Sequence, residues 1–117
     1  MVSKYKAKKI TIDGITFDSK MEANRYVTLK LLEKSERIRD LELQPKFELQ
    51  PKFKKNDITF RKIEYKADFK YFDVSRNKIV IEDVKGMETK EFKLKRKMFE
   101  YKYPELELEL VKKWEIN

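Results

Sequence analysis

Apolar and polar residues alternate at three places along this chain, and each place predicts strand. Residues 58–73 set Ile63, Tyr65, Ala67, Phe69 and Tyr71 on one face and Glu64, Lys66, Asp68, Lys70 and Phe72 on the other. The first face is expected to be core and the second to look outward into a cleft. Residues 105–111, Glu-Leu-Glu-Leu-Glu-Leu-Val, read as a half-buried strand whose acidic outer face makes a poor DNA surface. Residues 8–17 hold two short strands around Asp13-Gly14, a strong two-residue hairpin signal, whose Ile10, Ile12, Ile15 and Phe17 need a larger body to pack on. A fourth strand is predicted at 79–85, where an apolar run ends in Asp83-Val84-Lys85.

Two stretches change to helical spacing. Ser19-Lys20-Met21-Glu22 fits a capping box, and the segment to residue 35 carries Met21, Tyr26, Leu29 and Leu32 on one stripe. Glu22 is then either the reciprocal cap or an acid bordering the stripe and pointing under the sheet. Thr89 can cap a second helix through residue 101, with Pro104 beyond its end. That helix sets many lysines around Phe92, Leu94, Met98, Phe99 and Tyr101, either as a solvated face or as contacts to phosphates. Between the helices, residues 38–53 contain a tandem six-residue repeat, Leu-Gln-Pro-Lys-Phe-Glu then Leu-Gln-Pro-Lys-Phe-Lys. Its two prolines exclude a fully paired central strand and favour an extended edge segment; residues 54–57 read as a turn. The closing strand, helix, strand order suggests a right-handed crossover that adds a parallel strand. The predicted class is α+β, a mixed central sheet flanked by two helices with an N-terminal hairpin, as one domain over 1–117.

Register decides whether the acids meet. A turn centred on Ser75-Arg76 sets Asp68 directly opposite Asp83, on one face with Cβ atoms about 5 Å apart. A turn at Arg76-Asn77 sets Asp68 opposite Lys85 instead, with Asp83 a diagonal neighbour. Both registers keep two carboxylates and an ammonium together, the outline of a metal and phosphate site.

Composition narrows the chemistry. The chain has neither cysteine nor histidine. Disulfides, thiolate nucleophiles, histidine bases and His-based zinc sites are therefore excluded, leaving carboxylates, lysines, hydroxyls and a hard cation with oxygen ligands. A net charge of +8 with 43% charged residues fits a nucleic-acid partner, or else a solubilising surface. No apolar run approaches 18 residues and the start lacks a signal-peptide core, so a soluble cytoplasmic protein is expected, with no membrane partner.

An acid on the first helix, an Asp at the end of one strand and Asp-X-Lys on the next resembles the ordered signature of the PD-(D/E)XK nucleases. The likeness is to a small phage-associated branch of that superfamily catalogued as a domain of unknown function. It spans residues 17–111 and is carried by Phe-Asp-Ser-Lys-Met-Glu-Ala-Asn-Arg-Tyr at 17–26, Leu-Gln-Pro-Lys-Phe at 43–47, Tyr-Lys-Ala-Asp-Phe at 65–69 and Glu-Asp-Val-Lys-Gly at 82–86. Ala67 stands where the family often has proline.

The resemblance implies a restriction-endonuclease-like core and a Mg2+- or Mn2+-dependent endodeoxyribonuclease, with no organic cofactor. Asp68, Asp83 and the Val84 backbone carbonyl would hold the metal. Lys85 would orient or help deprotonate the attacking water, and Glu22 would bind a second metal or a metal-bound water. Gln44 and Lys95 fall at the rim, with Lys66, Lys93 and Lys97 as further contacts to DNA. The implied substrate is branched, Holliday-junction-like DNA in phage recombination or replication, within the bacterial host cytoplasm. So small a nuclease making paired cuts would be a homodimer. The rival readings are a DNA-binding or partner-binding module without hydrolysis, and a structural protein in which Asp83 and Lys85 are a surface ion pair.

Overall fold

The computed structural model describes residues 9–112, so Lys8, at the start of the expected hairpin, lies outside it. Asp13 (φ 53°) and Gly14 (φ 76°) take the two left-handed positions of a type I′ turn, joining β1 (Ile10–Ile12) to β2 (Ile15–Phe17). The hairpin's apolar residues pack on the helix that follows, as their pattern requires. That helix, α1 (Lys20–Lys34), starts at Ser19, whose Oγ accepts the Glu22 amide at 3.1 Å. The return half of the capping box is not made. Among the described residues the Glu22 carboxylate forms no hydrogen bond, and the side chain is buried.

The central sheet is four-stranded and mixed, in the order β10 (Glu107–Lys112), β9 (Lys78–Lys85), β8 (Phe69–Asp73), β3 (Ile38–Leu43). β3, β8 and β9 are antiparallel neighbours, and β10 joins β9 in parallel after α2 (Lys90–Lys102). Thr89 Oγ1 caps α2 by accepting the Phe92 amide at 3.1 Å. The β8–β9 ladder pairs Phe69 with Glu82 and Asp73 with Lys78, the register of a turn centred on Ser75-Arg76.

β9 separates two cores. Val80 packs with Phe17, Tyr26, Leu29, Phe69 and Tyr71 against α1, whereas Ile81 packs with Tyr65, Phe92, Phe99 and Leu108 against α2. Adjacent strand residues point to opposite faces, so a helix covers each side of the sheet. On α2 the apolar set divides. Phe92 and Phe99, seven residues apart, are buried, while Leu94 and Tyr101, equally spaced but some 160° around the helix, are 58% and 91% exposed.

The stretch expected as one strand over 58–73 is instead three: β6 (Ile58–Phe60), β7 (Ile63–Lys66) and β8. β7 pairs with β4 (Lys46–Gln50), and β6 with β5 (Phe53–Lys55). At 67–68 the chain changes partner: the Ala67 amide donates to Pro45 O, and the Asp68 amide to Glu82 O. The face changes with it, since Tyr65 and Ala67 belong to the α2 core but Phe69 and Tyr71 to the α1 core. Neither face of the stretch is simply outward. The prolines of the tandem repeat flank β4 and keep it in a two-stranded ribbon outside the central sheet. The repeat's two phenylalanines are not equivalent, Phe47 being buried and Phe53 exposed.

Candidate active site

Asp68 occupies the joint between β7 and β8 and is held from three directions. Its amide donates to Glu82 O at 3.0 Å, its carbonyl accepts from the Gln44 amide at 2.9 Å, and its Oδ2 accepts from the Val84 amide at 2.6 Å. Val84 thus enters the site through its N–H. Asp83, 2% exposed, accepts the Tyr65 hydroxyl on Oδ2 and lies 3.2 Å from Lys85 Nζ through Oδ1. Lys85 in turn rests over the Phe92 ring, 4.3 Å from its centroid. An ammonium between a carboxylate and an aromatic face is held in position without being sealed from water.

The electrostatics show how near these acids are. Burial, then the charges of Asp83 and Glu22, push the Asp68 carboxyl up to about 7. Burial is also the main cause that raises Glu22, with Asp18 and Asp83 adding to it while Lys66 and Lys85 oppose it. The Tyr65 hydroxyl is raised by burial and by Asp83, so it stays protonated and donates. Three acids on separate elements therefore share one field, with Lys66 and Lys85 within it. Among the described residues no three acidic side chains converge tightly enough to enclose one ion.

A cleft of about 200 Å³ opens over Asp83, bordered by Tyr65, Lys66, Lys85, Phe92 and Lys95. Lys66 and Lys95 thus stand beside the acids. Lys97 borders a different hollow, with Leu49, Met98 and Tyr101, and Lys93 is exposed on the outer side of α2. Gln44 reaches Asp68 through its backbone, at a positive φ of 52°, and its side chain is exposed.

Sequence reasoning missed the groups that hold these acids in place. Tyr65 read only as a core aromatic, although its position three residues before Asp68 was the available signal. Glu82 lies on the face opposite Asp83, 1% exposed, and its partners leave no signal in the sequence. Arg25 Nε donates to its Oε1 at 2.8 Å and Nη2 to its Oε2 at 2.6 Å, and the Tyr71 hydroxyl donates to Oε2 as well. This clamp ties α1, three residues after Glu22, to β9, one residue before Asp83.

No helix among the described residues is long and apolar enough to cross a membrane. No curated protein and no solved structure matches the chain. A family model matches residues 2–115, and the chain belongs to that family, described as Protein of unknown function (DUF1064).

Proposed function

We propose that this protein is a divalent-metal-dependent DNA endonuclease of the PD-(D/E)XK type, acting on branched DNA in phage recombination or replication. The observation that carries the reading is the meeting of Asp68, Asp83 and Lys85 at adjacent strand ends, with buried Glu22 in the same field. The donor chemistry fits a hard cation. Buried carboxylates crowded into one field carry an excess of negative charge, which Mg2+ or Mn2+ relieves through oxygen ligands.

Asp68 and Asp83 would hold the ion, and Glu22 a second ion or a bound water. When bound, the metal polarises a phosphoryl oxygen and makes hydroxide accessible near neutral pH. The Val84 amide fixes the Asp68 carboxylate, and the Tyr65 hydroxyl fixes that of Asp83. Lys85 Nζ offers a point charge to the scissile phosphate and a hydrogen bond that orients the attacking water. Lys66 and Lys95 stand at the cleft where flanking phosphates would lie. A homodimer would supply paired cuts.

One observation favours a second reading, a binding module without hydrolysis: both carboxylate oxygens of Asp83 already have protein partners. A labelled panel of four-way junction, flap, duplex and single strand, incubated with Mg2+ or Mn2+, separates the two. Cleavage of a branched substrate that Asp83→Ala and Lys85→Ala abolish supports the nuclease. Absence of cleavage, or equal cleavage by the variants, refutes it, and salt-dependent DNA binding then supports the binding module.

A further inference from the structure

The β5–β6 hairpin joins no other sheet. Asn56 (φ 52°) and Asp57 (φ 61°) close it in a type I′ turn, which makes it a rigid two-stranded projection rather than a loose loop. Its directly paired Phe53 and Phe60 stack at 4.8 Å between centroids and 11° between planes, yet remain 42% and 41% exposed, with Ile58 56% exposed beside them. Residues 52–62 carry five basic residues, Lys52, Lys54, Lys55, Arg61 and Lys62, against the single acid Asp57, half of the chain's net +8, although Lys62 also lies 3.2 Å from the Glu64 carboxylate. Exposed ring faces interleaved with lysines are what a base and its phosphates require. A protein interface would be depleted in lysine, and a second copy of the hairpin would repel the first.

We propose that the β5–β6 hairpin is a DNA-binding finger that stacks an unpaired base on the Phe53–Phe60 ring pair while its lysines meet the flanking phosphates. The inference rests on the reading that the protein acts on DNA, and it adds how branched DNA is distinguished from duplex. An unpaired base at a junction or flap offers a free π-face, which a base inside a duplex does not. The finger leaves β7 at the end away from the cleft. Phe60 is six residues from Lys66 at the cleft edge, a span of at most about 20 Å. At 3.4 Å per base step that is roughly six steps, so the scissile phosphate falls within about six nucleotides of the stacked base.

Binding is measured in EDTA, so that cleavage is not needed, on DNA with 2-aminopurine at an unpaired position. Phe53→Ala/Phe60→Ala is expected to weaken binding to branched and single-stranded DNA about five- to a hundredfold, to abolish the 2-aminopurine quenching, and to change duplex binding much less. Phe53→Leu/Phe60→Leu keeps the hairpin's apolar packing and should lose the quenching equally. Lys54→Ala/Lys55→Ala should lower the salt slope by roughly 1.5. Unchanged affinity and quenching in the phenylalanine variants would overturn the proposal. So would a variant that binds DNA normally but shifts in sedimentation, which makes the finger a contact between copies. Because the readout is metal-free, a dead nuclease with an intact finger still shows quenching. An active nuclease without one still cuts but discriminates no branch.

Discussion

Replacing Asp68 with Asn should stabilise the metal-free protein, by an amount that grows with pH. The carboxyl is protonated up to about 7 in the fold, against 3.8 for the free group, because burial and the neighbouring charges of Asp83 and Glu22 penalise the anion. The folded state therefore holds a proton that the unfolded state has released across that window, and wild-type stability falls as pH rises from about 4 to about 7. At 1.36 kcal/mol per pKa unit the full shift is worth about 4 kcal/mol. Asp83 and Glu22 share the strain, so about 2 kcal/mol is expected from one substitution. Asn keeps an acceptor oxygen for the Val84 amide, so the local fold survives. Thermal melts in EDTA at pH 4, 6 and 8 should show no gain at pH 4 and a gain of roughly 6–10 °C at pH 8. Added Mg2+ should raise the wild type and not the variant. A difference that is flat with pH, or an Asn protein less stable at pH 8, would refute the account of a crowded carboxylate.

Two further outcomes test the frame around the site. Glu82→Ala leaves the Arg25 guanidinium without its bidentate partner under α1 and should cost about 3 kcal/mol in urea unfolding; a loss under 1 kcal/mol would mean that water replaces the carboxylate. The Arg76 side chain, then the backbone and Ser75 bonds, hold Asp73 down to about 2, so its contribution is present above about 3.8 and is lost as pH falls toward 2. Solvent at this turn limits it to about 1 kcal/mol, read as a wild-type advantage over Asp73→Asn at pH 5 that vanishes near pH 2.

The elements were legible wherever a local signal sufficed. Asp13-Gly14, Ser19 and Thr89 each mark a boundary by their own chemistry, whereas the sequence left two turns open between β8 and β9, and the structure takes the one centred on Ser75-Arg76. The break at 67–68 was not legible. Tyr65, Ala67, Phe69 and Tyr71 alternate without a flaw, and only the choice of β4 or β9 as partner sends them to different cores. Alternation records that a residue is buried, not which helix buries it. The same limit hid the site's supports. Asp68, Asp83 and Lys85 could be brought together by register, but Tyr65 reaches Asp83 across 18 residues and Arg25 reaches Glu82 across 57. Contacts of that separation leave no periodic trace. On α2, a list of apolar residues without the helical angle could not tell buried Phe99 from exposed Tyr101.

The neighbouring acids of β9 also bear on folding fidelity. Strands of mixed apolar composition can pair one residue out of register at small cost, since either face is acceptable to a core. Here a slip that brought Asp83 under Arg25 would carry Glu82 to the place of Ile81, an unpartnered charge among Phe99 and Leu108, and Val84 to the place beneath the Tyr65 hydroxyl. A slip the other way sets Ile81 against Arg25. Each misalignment buries a lone charge or strands one, at several kcal/mol. The dipeptide that equips the cleft is thus also an error check, rejecting the competing alignments of the strand on which both cores depend.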